Sequence, residues 1–115
     1  MSKRDPLVRL RHMLDYSKEA VEMARGKTAA EISGNRQLGL ALTHLVELIG
    51  EAASQVLRDV QDQYPQIPWS KVVSMRNRLI HGYDFVDYDV LRDTISNDLP
   101  PLIDALEKII ASAKK

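Results

Sequence analysis

Apolar residues recur along this chain at intervals of three and four, the spacing that gathers them on one side of an α-helix, and nowhere alternate as a half-buried strand would. Leu7, Leu10, Leu14, Val21 and Ala24 form the first stripe, with Asp5-Pro6 as cap and first helical residue and Gly26 as stop. Thr28 and Glu31 have capping-box spacing, which predicts a short helical turn before Ser33-Gly34-Asn35 breaks the chain. Leu38, Leu42, Leu45, Val46, Ile49, Ala53, Val56, Leu57 and Val60 then predict one long helix from about residue 35 to residue 64, the spine of the domain. Pro65 and Pro68 bound a connector. From Pro68 or Trp69 a further helix is expected to run to a stop at Gly82, with Val72, Met75 and Leu79 inward and Trp69 either a core anchor or a stacking platform. Past a loop over 83–88, Asp87 can cap a last segment carrying Val90, Leu91, Ile95, Leu99, Leu102, Ile103, Leu106 and Ile110, which Pro100-Pro101 must kink or divide. The expected fold is all-α, an up-and-down bundle of four main helices plus a short extra helix, in one domain over 1–115.

Composition narrows the compartment and the chemistry. The absence of cysteine removes disulfides, thiolate metal sites and a Cys nucleophile, and fits a reducing compartment. Charges interrupt the first thirteen residues before a signal-peptide core can form, and the apolar runs are far too short for a membrane span, so a cytoplasmic protein with no membrane partner is expected. Net charge is zero, 16 basic against 16 acidic residues, but it is unevenly spread. Residues 66–83 carry Lys71, Arg76, Arg78 and His81 with no acid, whereas 84–107 carry seven acids against Arg92 alone. A polyanion is attracted to the first stretch and repelled by the second, which makes Lys71 and Arg78 candidate contacts for one beside Arg76.

Two constellations carry possible chemistry. Opposite the stripe of the long helix stand His44, Glu47, Glu51, Gln55 and Arg58, either a solvated face or a polar wall facing a cleft. Arg76 and His81 lie five apart, about 140° round a straight helix, so they share a side only if the helix ends at His81, where Gly82 permits the turn. An imidazole can exchange a proton with a ribose 2′-hydroxyl or a leaving oxygen while a guanidinium holds the phosphate oxygens, and no metal is required. The plain alternative is a salt-bridged Arg76 and a helix-capping His81. Asp84, Asp87 and Asp89 lack calcium-loop spacing and read as a cap with solvated acids, and His12, among Arg9, Arg11 and Asp15, reads as a surface residue.

The wider text adds a resemblance. Arg76-x4-His81-x-Tyr83, together with Ile49-Gly50-Glu51-Ala52-Ala53, Ile67-Pro68-Trp69, Met75-Arg76-Asn77 and Asp98-Leu99-Pro100, resembles the HepT-like family of the HEPN superfamily over most of the chain. What the resemblance implies is a metal-independent RNA endonuclease without a cofactor, the toxin of a type VII toxin–antitoxin pair and a homodimer whose two motifs share a cleft. Its implied partner is a small nucleotidyltransferase antitoxin of the MntA type, which attaches AMP to the motif tyrosine. Arg76 and His81 then correspond to the catalytic pair, Asn77 and Glu51 to supporting residues, with Glu51 orienting Arg76, and Tyr83 to the modified residue. The alternative is a non-catalytic companion subunit that binds substrate or accepts AMP beside a nucleotidyltransferase.

Overall fold

The computed structural model describes residues 6–80 and 85–113, and in them every regular element is helical. Helix α1 (Pro6–Ala24) begins on proline, whose missing N–H costs nothing at a first helical position. It is released by Gly26 at φ +74°, a left-handed turn open to glycine. Its deepest side is Leu10, Met13, Ser17, Ala20 and Ala24, so the predicted stripe is rotated: Leu7, Leu14 and Val21 flank the core half-buried. Helix α2 (Ala29–Ser33) carries the predicted capping box, Glu31 N–H to Thr28 Oγ1 at 3.1 Å and Thr28 N–H to Glu31 Oε1 at 2.9 Å. That backbone donor holds the Glu31 carboxyl below its ordinary pKa.

Asn35 caps α3 (Arg36–Ser54), accepting from Leu38 N–H at 3.1 Å. The expected single spine is divided here: Leu57 turns extended (φ −60°, ψ 146°) before α4 (Arg58–Gln63). Periodicity of Val56 and Val60 persists across the break, which is why the sequence concealed it, yet Leu57 itself is 53% exposed. Polar side chains bridge the break. Ser54 Oγ donates to Glu51 O, and Gln61 Nε2 reaches back to Ala53 O and Val56 O.

The helix expected from Trp69 to Gly82 is also two pieces, α5 (Trp69–Val73) and α6 (Met75–Leu79), hinged at Ser74. Ser74 Oγ donates to Ser70 O at 2.8 Å, competing with the helical ladder at the hinge. Trp69 is the anchor of this corner, half-buried with Nε1–H on Tyr64 O at 3.0 Å. The helix ends earlier than predicted. Ile80 is extended and bridges antiparallel to Val86, and Asp87 N–H binds Leu79 O at 2.7 Å. Gly82, the expected stop, lies outside the described residues.

Asp87 caps α7 (Tyr88–Asp93) as expected, accepting from Val90 N–H at 3.1 Å. Thr94–Asp98 form a wider π turn that leads into α8 (Leu99–Ala113). This turn is the division that Pro100-Pro101 required, placed where their two missing donors would otherwise leave a regular ladder incomplete. Helix α1 packs between α3 and α8, and α5 and α6 lie against α3. Leu42, Val46, Ile49, Met75, Leu79, Leu91, Ile95, Leu99 and Leu106 fill the core between them. The all-α bundle is as predicted, with three of its four expected main helices divided into shorter segments. No described helix is long and apolar enough to cross a membrane.

Candidate active site

Gly50 determines how closely α5 and α6 approach α3. A Cβ there would stand 3.1 Å from Val73 O and 3.3 Å from Val72 O, backbone atoms that cannot turn aside as a flexible side chain would. The bare glycine lets α5 lie against the spine, and α6 follows one residue later across Ser74. Arg76, in the first turn of α6, is thereby carried over the polar side of α3. Its Nε–H donates to Glu47 Oε2 at 2.9 Å, and His44 Nδ1 lies 3.5 Å from the other carboxylate oxygen, Oε1.

At Glu47 the polar stripe of α3 is thus a wall facing α6, while His44, Glu51 and Gln55 on it stay exposed. Glu47 is half-buried while His44 and Arg76 are exposed, so the chain of contacts runs from the wall outward. A pair so open to water contributes about 1 kcal/mol or less to stability. Its weight lies in geometry. With Nε engaged, the guanidinium plane is fixed and its terminal nitrogens have no partner among the described residues.

The carboxylate on Arg76 is thus Glu47 and not Glu51. Glu51 stands one turn further along α3, exposed, with Gln55 Nε2 3.4 Å from its Oε2. Asn77 is exposed beside Arg76, its backbone N–H on Ser74 O. Arg78 is two residues on, about 200° round the helix, and turns away from Arg76. Its Nη2 donates to Asp98 Oδ2 at 2.9 Å, and Lys71 Nζ lies 3.3 Å from Asp98 Oδ1. The basic stretch read from the sequence is accordingly split: Arg76 on the α3 side, Lys71 and Arg78 together on an acid of the π turn. His81 and Tyr83 lie outside the described residues.

Glu47 and Asp98 are the residues whose roles the sequence left unassigned. Helical spacing from His44 and Glu51 put Glu47 on the right stripe, but only the close approach at Gly50 tells which acid meets the arginine.

An all-α bundle carrying a paired arginine on the motif helix defines a class, and the comparisons with known proteins agree on it. Residues 13–109 match the profile of the HepT-like family, described as Ribonuclease HepT-like. A protein of Methanocaldococcus jannaschii named "Putative RNase MJ1216" is 32% identical over 110 residues, 96% of this chain and 91% of that one. Another from the same organism, "Putative RNase MJ0125", is 32% identical over 96% of this chain and 95% of its own. "Probable ribonuclease HepT" of Thermococcus cleftensis is 36% identical over 75 residues, 65% of this chain and 68% of that one. No solved structure matches. The chain belongs to the HepT-like ribonuclease family.

Proposed function

We propose that this chain is a metal-independent RNA endonuclease in which the ribose 2′-hydroxyl is the nucleophile. The O2′–P bond forms and the P–O5′ bond breaks, leaving a 2′,3′-cyclic phosphate. His81 takes the 2′ proton or delivers one to the departing 5′ oxygen, water making the other proton transfer, and the terminal nitrogens of Arg76 hold the non-bridging oxygens as charge builds. The observation that supports this most is the anchoring of Arg76 through Nε to Glu47, which leaves its two-donor edge for a phosphate. Asn77 borders the same site, and Lys71 and Arg78 offer RNA a second, partly neutralised basic patch.

Labelled RNA incubated with the protein in excess EDTA tests the chemistry. Cleavage with cyclic-phosphate ends is expected, lost in Arg76→Ala and His81→Ala, and absent on DNA or 2′-O-methyl RNA. A strict need for a divalent ion would overturn the mechanism, and wild-type protein that binds RNA without cutting it would point to the non-catalytic companion.

In the cell we read the activity as that of a cytoplasmic toxin, active as a homodimer and silenced by an MntA-like nucleotidyltransferase that joins AMP to Tyr83. A nucleotide phosphate attached two residues from His81 would compete with RNA for Arg76. Intact-mass and peptide mass spectrometry of the chain co-expressed with such an enzyme should find AMP on Tyr83; its absence, or attachment elsewhere, would refute this regulation.

A further inference from the structure

The polar stripe of α3 has two borders. Along one, α6 brings Arg76 to Glu47; along the other, α1 and α3 leave a shallow cleft of about 190 Å³ lined by Arg9, His12, Tyr16, Leu48, Glu51 and Gln55. That is below the roughly 300–1,000 Å³ of sites for drug-sized ligands and suits a single flat group. Its lining is unlike ordinary surface. His12 and Tyr16 stand one turn apart on α1 with ring centroids 6.1 Å apart and planes tilted by 42°, and they present an aromatic wall. Arg9 has its Nε buried with no hydrogen-bond partner among the described residues, in a protein that leaves few polar atoms so. On the facing side Gln55 Nε2 lies 3.4 Å from Glu51 Oε2, and both side chains line the cleft.

We infer that this cleft is a nucleotide subsite, taking the RNA base next to the scissile phosphate and preferring bases with an exocyclic amino group over uracil; the inference rests on the reading of the chain as an RNA-cleaving protein. Single-stranded RNA is recognised by stacking unpaired bases on aromatic, histidine or arginine planes and hydrogen-bonding their edges. His12 and Tyr16 supply the stack. Glu51 accepts from the exocyclic amino group of cytosine, adenine or guanine, whereas uracil can offer it only N3–H, flanked by two carbonyl oxygens that the carboxylate repels; Arg9 meets the sugar–phosphate. The negative charge of Glu51 argues that a base, not a phosphate, faces it. Spacing fits as well: Glu47 and Glu51 are four residues apart, about 6 Å along the axis, close enough for the cleft to take the base of a nucleotide flanking a phosphate held at Arg76.

Binding of uncleavable 2′-O-methyl hexanucleotides of A, C or U, followed by fluorescence anisotropy, tests the subsite apart from catalysis. Wild-type protein should bind the A and C oligomers about tenfold more tightly than U. Glu51→Ala should abolish that difference, and His12→Ala should weaken all three about fivefold. Both residues are exposed, so their variants should keep the wild-type circular dichroism; Arg9→Lys serves as a third probe that retains charge and loses the planar fork. Equal binding of the three oligomers by wild type, or variants indistinguishable from it, overturns the subsite. Cleavage of unmodified RNA by wild type is measured alongside. Cleavage without base preference removes the subsite and leaves the nuclease standing, whereas preference without cleavage removes the nuclease and leaves the subsite.

Discussion

Arg76 spends its Nε–H on Glu47 and leaves both terminal nitrogens without a partner among the described residues, a division that mutation can probe under the proposed mechanism. A guanidinium fixed by Nε offers a planar pair of donors to phosphate, whereas an ammonium would have to choose between the carboxylate and the substrate. Arg76→Lys should therefore lose about 100-fold or more in kcat, in line with removal of a transition-state donor. Glu47→Gln should lose about tenfold in kcat with little change in KM, because it loosens the arginine without removing it, and misplacement by about 1 Å can cost 100-fold. Glu47→Asp should recover part of the loss. Thermal melts should move little in all three, since the ion pair is largely exposed. If Glu47→Gln leaves kcat intact, Glu47 does not position Arg76.

At the scale of the element, the approach of α5 to α3 depends on one missing methyl. Alanine in place of glycine in a helix interior is ordinarily favourable by about 0.8–1.0 kcal/mol. At Gly50 the added Cβ meets two backbone carbonyls, and overpacking of this kind costs about 1–3 kcal/mol. Gly50→Ala should be net destabilising in urea melts and should reduce cleavage more than binding, because α6 and Arg76 move off Glu47. A Gly50→Ala protein as stable and as active as wild type would refute this account. The same elements mark how far the sequence could be read. Caps at Thr28 and Asp87, the stop at Gly26, the break before α3 and the inward Val72, Met75 and Leu79 were legible because each is set by residues within a turn or two. The breaks at Leu57 and Ser74 were not, since apolar spacing runs through both and the competing serine and glutamine bonds depend on the fold. For the site, the motif arginine and the polar wall were visible in the chain. Which acid meets Arg76, and that Asp98 gathers Lys71 and Arg78, depend on contacts 29, 27 and 20 residues apart in sequence.

On the scale of the whole molecule, a chain measuring 44 × 28 × 26 Å carries its Arg76 on an outer face, where one copy alone encloses little of a substrate. Leu40 is 53% exposed and lies on the α3 stripe one turn before His44, and Phe85 is 60% exposed. Tyr88 packs within 3.0 Å of where a Gly39 Cβ would be, so the start of α7 and the start of α3 share one end of the bundle. The segment joining Ile80 to Phe85 carries His81 and Tyr83. A second copy docked across Leu40 and Phe85 by a two-fold axis would cover the exposed apolar groups of both chains. The Glu51 and Gln55 end of the stripe, 11 or more residues further along α3, would remain open to RNA. Light scattering at micromolar concentration should give twice 13.0 kDa. Leu40→Asp should shift the protein toward monomer and lower cleavage in proportion to the dimer lost, while its helicity is kept, because the side chain is already in water in the single chain. A Leu40→Asp monomer that cleaves RNA as fast as wild type would show that each chain holds a complete site of its own.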